Sequence, residues 1–403
     1  MDEDHFADLA AWITAAGLEG QTETATLTGF CERVLALGLP LARGNVVIDT
    51  LHPIYEGRAF TWKREIAEAI LTEFGRSEED SGRWERSPYY SFEITGESLL
   101  RRRLTADTDA EFPILADLRA AGITDYVAMT NRFAAEGIIG GMDCVYSSWA
   151  TDASGGFRDV DVAVLSRLVP LVALTLKSAS LTRIAGTLVE TYLGRDAGRK
   201  VLGGRIARGV ADRIDAVLWF SDLRNYTRIS DTAAPEQIIP LLNEYADAVL
   251  SAIHESGGDV LKLMGDGTLA IFTAADRAGA CHAALAAAAE ARRAVAVVNH
   301  RRAAESLPTT DMYLGLHVGE VFYGNIGSRE RLDFTVVGPA VNEVSRIASL
   351  CRSVDQPLLI SSAFASAIGE PKELLVSVGR YALRGVGRAQ DLYTLEPEPD
   401  VPE

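Results

Sequence analysis

The order of apolar and polar positions predicts an α+β region, a long helix and a second α+β region. Before about residue 45, apolar residues recur at helical spacing, and β-branched and aromatic residues typical of strands then follow. "FPILADLRAAG" predicts a further helix, and residues 158–193 predict a long helix with Pro170 as a point of interruption. "YYSFEI" and "YVAMTNRF" predict strands, and the polar segment 76–88 predicts a loop.

From residue 212 the pattern follows the order βαββαβ, which is the ferredoxin-like arrangement. The predicted elements are strands 216–220, 260–264, 268–272, 312–318, 320–325 and 334–337, and helices 235–255, 275–296 and 340–351. The Gly-rich, basic stretch before this region predicts a hinge. We therefore expect a first domain at 1–178, a helical linker at 179–211 and a second domain at 212–397.

Composition narrows the class of protein. The chain has 403 residues, which is more than one core usually holds. Its net charge of −17 argues against a nucleic-acid partner, although a nucleotide needs only a local site. The four cysteines lack a CxxC pair and are predicted to be buried thiols in a reducing compartment. They are Cys31, Cys144, Cys281 and Cys351.

Targeting signals are not evident in the sequence. The acidic first residues lack the basic-then-apolar order of a signal peptide. The most apolar run, 162–176, is about 15 residues long and contains Arg167, so it is too short to span a bilayer. We expect a cytoplasmic protein without a membrane partner.

Two aspartates are the first candidates for chemistry. In "AVLWFSDLRNYTRIS" an apolar strand ends on Asp222, and in "LMGDGTLAIF" Asp266 occupies a hairpin turn. A cap and a common turn dipeptide are the structural alternatives. In a βαββ unit, however, the hairpin lies next to the first strand. Two carboxylates there form a site suited to Mg²⁺ and substrate phosphate oxygens.

Four motifs of the second region resemble those of class III nucleotidyl cyclases, the family that makes cyclic AMP or cyclic GMP. They are "FSDLRNYT", "LKLMGDGTLAIF", "GLHVGEVFYGNIGS" and "RLDFTVVGPAVNEVSRI". They occur in the family's order over about 185 residues. The resemblance implies two Mg²⁺ or Mn²⁺ ions per site and conversion of ATP to 3′,5′-cyclic AMP and pyrophosphate.

The resemblance assigns roles to the matching positions of this sequence. Asp222, Asp266 and the Leu223 carbonyl match the metal-binding set. Positions 224–227 match the loop whose amides face the terminal phosphates. The other matches are Asn225, Tyr226 and Thr227 within that loop, Lys262 and Thr335 for the base, Asn342 and Arg346 for the ribose and the transition state, and Arg331 for the phosphates.

Some of these residues also have purely structural explanations. Lys262 also suits a structural ion pair, and Asn342 and Arg346, four residues apart, also suit a solvated helix face. In the family, one domain supplies the aspartates and a second supplies the base, Asn and Arg positions. A chain with both sets implies a homodimer with two equivalent sites.

The base-reading positions bear on the choice of nucleotide. Many adenylate cyclases have Asp where this chain has Thr335, and guanylate-type sites usually have Glu where it has Lys262. The Lys/Thr pair resembles a bacterial adenylate subgroup, which favours ATP. A guanylate cyclase and a nucleotide-binding signalling protein with little turnover are the alternatives.

The first region resembles a GAF-type sensor in "GLPLARGNVVIDTLHPIYEGRAFTW" and "FPILADLRAAGITDYVAM". The resemblance implies regulation by an unidentified small molecule or protein signal. Trp62, Trp84, Tyr89 and Tyr90 can line a ligand pocket, although aromatic residues in strands more often belong to the core.

Overall fold

Two β-sheets, one in each half of the chain, organise this computed structural model, which describes residues 2–105, 111–133, 139, 142–369 and 375–395. The chain divides into two units, Met1–Leu188 and Val189–Glu403. The predicted end of the second domain, residue 397, lies outside the described residues, and the other predicted boundaries stay predictions. Within the described ranges, every helix is too short or too polar to cross a bilayer.

The first unit contains two helices, six strands with three short helices among them, and a long helix. In chain order these are α1 Glu3–Leu18, α2 Glu23–Ala36, β1 Arg43–Asp49, β2 Tyr55–Lys63, β3 Ile70–Gly75, α3 Glu78–Glu85, α4 Tyr90–Thr95, β4 Leu99–Arg103, α5 Pro113–Ala120, β5 Asp125–Arg132, β6 Cys144–Thr151 and α6 Asp159–Leu193. The α6 helix continues through Pro170, which is exposed on its outer face. The interruption expected there is therefore wrong, because a helix can curve around its core with its solvent side outermost.

The six strands form one antiparallel sheet in the order β3-β2-β1-β6-β5-β4. One face packs on α1, α2 and α6 in a core that contains Trp62 and Trp149. The other face carries a smaller aromatic cluster that includes Tyr89, Tyr126 and Tyr146. Because successive side chains of a strand point to opposite faces, each strand contributes to both layers.

Two local predictions in this unit are wrong. Segment 76–88, expected as a loop, contains α3, which begins where Ser77 Oγ accepts a hydrogen bond from the Asp80 amide. "YYSFEI", expected as a strand, contains α4, which ends at left-handed Gly96. In both places capping chemistry outweighs the polar composition or the β-propensity of the aromatic residues.

The second unit is a larger sheet with helices on both sides. Its elements are α7 Arg195–Leu202, β7 Ala211–Leu223, α8 Tyr226–Thr232, α9 Pro235–Glu255, β8 Asp259–Met264, β9 Gly267–Phe272, α10 Arg277–Ala304, β10 Met312–Gly327, β11 Leu332–Val337, α11 Pro339–Val354, β12 Leu358–Ser361, α12 Ser362–Ala367, β13 Leu375–Tyr381 and β14 Gln390–Leu395. The helix predicted at 235–255 has those bounds, with Pro235 in its first turn. The expected hinge contains α7.

Strands β10, β7, β9 and β8 lie side by side in that order, all pairs antiparallel. This is the ferredoxin-like order expected for βαββαβ. The strands predicted at 312–318 and 320–325 are one strand, β10, so that prediction is wrong. Gly319 is not a turn: a Cβ there would lie 2.8 Å from the Ala340 Cβ, so the glycine lets α11 approach the sheet.

All four cysteines are buried and free, as their spacing predicts.

Candidate active site

Asp222 and Asp266 meet at one edge of the second sheet. β9 pairs with β7 as far as Thr268 opposite Ser221, which brings the β8–β9 hairpin to the end of β7. Gly267 permits this approach, because a Cβ there would lie 3.3 Å from the Ser221 carbonyl oxygen. The two carboxyl groups lie within hydrogen-bonding reach of each other.

The surroundings of the acid pair, Asp222 and Asp266, make ionisation of the Asp222 carboxyl group less favourable. Although Asp222 is exposed as a residue, partial burial of its carboxyl group and the adjacent Asp266 carboxyl raise its pKa to about 7. The Leu223 amide, which donates to Asp222, opposes that shift. A bound cation would relieve the repulsion, so these residues fit the divalent metal that the resemblance implies.

The pair is a sparse metal site by itself. No group of three or more His, Cys, Asp or Glu side chains in the described ranges is arranged so that it could hold a metal ion. Further ligands would have to be backbone carbonyls, water or substrate, as is usual for Mg²⁺.

The predicted phosphate loop follows β7 directly. The Arg224 amide donates to the Asp311 carbonyl at 2.7 Å, and Asn225 adopts a left-handed conformation with φ of 59° before α8. This turn fixes the backbone from Leu223 to Thr227 beside the acid pair. The Arg224 guanidinium lies 3.3 Å from the Asp355 carboxylate, with which it forms an ion pair.

Lys262 and Thr335 lie on the same side of the β10–β11 hairpin. Lys262 Nζ donates to Asp333 Oδ2 at 2.8 Å. Asp333 and Thr335 are two residues apart on β11, so they share a face, on which Thr335 is itself buried, whereas Phe334 and Val336 lie on the other face. Lys262 is thus in an ion pair, as the structural alternative proposed, but its partner lies beside Thr335.

Asn342 and Arg346 lie on the outer face of α11. Both are exposed, and among the described residues neither has a hydrogen-bond or ion-pair partner. Val344 and Ile347 form the opposite, buried face of the same helix. The arrangement leaves one amide and one guanidinium group available to a ligand.

Three residues that sequence reasoning missed hold this part of α11. Gln390 Nε2 donates to Glu343 Oε2 at 2.7 Å, and the buried His317 Nε2 lies 3.6 Å from the same oxygen. Burial lowers the pKa of His317, and Glu343 opposes that shift. Only the adjacency of Glu343 to Asn342 is visible in the sequence.

The predicted site residues form separate sets within one chain. No hydrogen bond or ion pair of the described part joins the acid pair to Lys262, Thr335, Asn342 or Arg346. Arg331 is exposed at the turn between β10 and β11. Its backbone amide donates a hydrogen bond to Ser328 Oγ at 3.0 Å.

Comparison with known proteins gives a family for this unit. Residues 210–397 match the family model of the adenylate and guanylate cyclase catalytic domain. Adenylate cyclase 1 of Rhizobium meliloti is 27% identical over 251 residues, which are 60% of this chain and 37% of that protein. An adenylate cyclase of Anabaena cylindrica is 32% identical over 168 residues, which are 41% of this chain and 33% of that protein.

Among solved structures, the adenylyl cyclase CyaB from P. aeruginosa matches with 24% identity and a TM-score of 0.43. The match covers 47% of this chain and 98% of that one. This chain spans about a third of the length of each of these curated relatives. The similarity to adenylate and guanylate cyclase catalytic domains thus lies in residues 210–397, within the second unit.

Proposed function

Because residues 210–397 match the adenylate and guanylate cyclase catalytic domain, we propose that this chain is an adenylate cyclase. It converts ATP to 3′,5′-cyclic AMP and pyrophosphate, and its first unit regulates that activity. The observation that carries the proposal is the acid pair, since a cyclase without both carboxylates has no metal site. The adenylate cyclases among the relatives support ATP as the substrate.

In this reaction the ribose 3′-oxygen attacks the α-phosphorus, the bond to the β,γ-pyrophosphate breaks, and the hydroxyl proton leaves to solvent. Asp222, Asp266 and the Leu223 carbonyl would hold two Mg²⁺ or Mn²⁺ ions. When bound, these ions would lower the pKa of the 3′-hydroxyl and neutralise negative charge on the triphosphate.

The chain's other residues bind and orient the nucleotide. Lys262, held by Asp333, and Thr335 contact the adenine edge. A Thr hydroxyl can both donate and accept a hydrogen bond, so it discriminates between bases less strictly than a carboxylate. The amides of Asn225, Tyr226 and Thr227, together with Arg331, face the terminal phosphates.

Asn342 and Arg346 act on the reacting centre. The Asn342 amide positions the ribose, and Arg346 donates to the phosphoryl oxygens as negative charge builds on them. These two residues and the acid pair form separate sets. In a homodimer, one subunit therefore supplies the acid pair of an active site and the other subunit supplies its Asn342 and Arg346. Two equivalent sites follow from two-fold symmetry.

Turnover by the purified full chain tests this function. Cyclic nucleotide formation is measured with ATP or GTP, each with Mg²⁺ or Mn²⁺, beside Asp222→Asn. We expect cyclic AMP from ATP, a smaller rate with GTP, and a loss of about a thousandfold in the variant. A preference for GTP would make the chain a guanylate cyclase, and no product from either nucleotide would leave a binding protein.

A further inference from the structure

A cavity of about 780 Å³ lies in the first unit, on the sheet face opposite α1, α2 and α6. Asn45, Val47 and Asp49 of β1 line it, whereas the alternate residues Val46 and Ile48 are buried in the core of the other face. Residues of α3, α4 and α5 close over it. Its volume is in the range of small-molecule sites.

One wall of this cavity is aromatic. Trp84, Tyr89 and Tyr90 line it, whereas Trp62 is buried in the core of the other face. Tyr146 lies behind the wall, with its ring centroid 5.1 Å from that of Trp84 and 5.4 Å from that of Tyr89. The wall thus offers π-faces that can contact an apolar body or a cation.

The Tyr89 end of the cavity has its polar groups satisfied. Tyr89 Oη lies 2.8 Å from Asn45 Oδ1 and 2.9 Å from Ser148 Oγ, and Arg43 is 3.5 Å from the same Ser148 oxygen. These groups bond to one another, so this end makes no strong demand for a charged ligand.

The Asp49 end is different. Asp49 is half-buried, and within the described ranges its carboxyl group has no hydrogen-bond or ion-pair partner. Three carboxylates act on it electrostatically, Glu56 on β2, Glu93 on α4 and Asp143 just before β6, of which Glu56 also pairs with Arg76 at 3.1 Å. Burial, followed by these three carboxylates, raises the pKa of Asp49 to about 7.

Acidic groups outnumber basic ones around the whole cavity. Six carboxylates line it, against three arginines. The six are Asp49, Glu56, Asp80, Glu85, Glu93 and Asp117. Of the arginines, Arg83 pairs with Glu79 outside the cavity and Arg86 donates to the Gly82 carbonyl.

We propose that this cavity binds an organic cation, an amine with an aromatic or apolar body, whose ammonium group pairs with Asp49 and whose body lies on Trp84. The two halves of the site are connected, because Tyr146, which packs on Trp84, donates its hydroxyl to Glu93 at 3.2 Å. A ligand of modest size can therefore reach both.

Other ligand classes fit less well. An anion would meet the unpaired Asp49 and its three acidic neighbours. A divalent metal ion fits less well, because the carboxylates around Asp49, like every other group in the part of the chain that the structure describes, are not arranged as three or more ligands that could hold one. A wholly apolar ligand would leave the Asp49 charge buried without a partner.

Calorimetric titration of the purified full chain tests the proposal through binding alone, independently of any cyclase activity. Three probes share a phenyl ring and differ in charge: benzylammonium, benzyl alcohol and phenylacetate. We expect benzylammonium to bind with a stoichiometry of one and the other two to bind at least about tenfold more weakly. Near pH 7 its binding should release a fraction of a proton, because Asp49, with a pKa of about 7, is partly protonated before the ammonium group binds.

Two variants and one control complete the test. Asp49→Asn should weaken benzylammonium binding at least about tenfold, and Trp84→Leu about threefold or more. Glu65→Gln, which changes an exposed residue outside the cavity, should bind like the wild type. Tighter binding of phenylacetate, no binding of benzylammonium up to about 10 mM, saturation by Mg²⁺ or Ca²⁺ alone, or unchanged binding by folded Asp49→Asn would each overturn the proposal.

Discussion

At the scale of single residues, Asp49 illustrates how a half-buried carboxyl group without an ion-pair partner in the described residues affects stability. Its carboxyl is half-buried among Glu56, Glu93 and Asp143, and burial, with these neighbours, raises its pKa to about 7. In the unfolded chain the pKa is ordinary, near the reference value of 3.8. Ionised Asp49 therefore destabilises the folded state above pH 7, and this penalty fades as the pH falls toward 4.

We expect Asp49→Asn to raise the free energy of unfolding by about 2 kcal/mol at pH 8, because the amide removes the buried charge. The gain should shrink as the pH falls below 7 and vanish below about pH 3, where Asp49 is protonated in both states. Thermal melts of variant and wild type across this pH range measure it. An equal gain at pH 4 and pH 8 would contradict the electrostatic cause.

Asp333 is a second residue whose position has a consequence. It holds the ammonium group of Lys262 at 2.8 Å, on the face of β11 that also carries Thr335. Asp333→Asn should raise the KM for ATP about fivefold with kcat nearly unchanged. Without the ion pair Lys262 is less well held, which weakens binding of the substrate and of the transition state by the same amount. Steady-state kinetics measure the split between the two constants.

Asp333→Glu should recover most of that loss, since it can keep the ion pair. Glu330→Gln, on the exposed turn before β11, is the matched control. The pair is partly exposed, with 36% and 45% of the two side chains accessible, so stability should change by less than about 1 kcal/mol. A KM that stays constant in Asp333→Asn would mean that the ion pair is only structural.

Residues that end a strand or begin a turn could be read from the sequence, and their partners could not. Asp222 and Asp266 stood out because a buried strand and a hairpin end on them. The Lys262 partner did not, because Asp333 lies 71 positions away and reaches Lys262 only through the β10–β11 hairpin. Spacing along a chain does not report such contacts.

At the scale of elements, the position of α11 depends on contacts from two strands. Gly315 and Gly319 of β10 leave room for the helix, and a Cβ at Gly315 would lie 2.7 Å from the Ala348 amide nitrogen. Glu343 then accepts a hydrogen bond from Gln390 of β14 and faces His317 of β10. These contacts fix the rotation of the helix that carries Asn342 and Arg346.

We expect Glu343→Ala to lower kcat about tenfold, because a small displacement of Asn342 and Arg346 misplaces groups needed in the transition state. Glu343→Gln should retain most of the activity, since its side-chain oxygen still accepts from Gln390. Steady-state kinetics with a melting control measure this effect. Arg352→Ala, in the last turn of α11, should behave like the wild type, and wild-type kinetics in folded Glu343→Ala would remove the positioning role.

Elements with strong periodicity were predictable, and short or glycine-containing ones were not. The helix at Pro235–Glu255 has a clear apolar face and a Pro in its first turn. In contrast, α3 and α4 are fixed by caps at Ser77 and Gly96. Gly319 looked like a turn, because close packing of a helix on a strand leaves no local signature in sequence.

At the scale of the whole molecule, the proposed active site needs two chains. The acid pair lies at the end of β7 and the β8–β9 turn, whereas Asn342 and Arg346 are exposed on α11 without partners in the described residues. We propose that a ligand touches both sets by binding between two copies of the domain.

Mixing two inactive variants tests this arrangement. Asp222→Asn lacks one set and Arg346→Ala lacks the other, so each homodimer should be inactive. In a heterodimer both substitutions fall in one site and the second site is intact. If chains exchange freely, half of the dimers are mixed, and activity should return to about a quarter of the wild-type rate.

A mixture of Asp222→Asn with Asp266→Asn, which damage the same set, should stay inactive. If the first mixture also stays inactive while native mass spectrometry detects mixed dimers, each site is built within a single chain and the proposed sharing of residues is wrong.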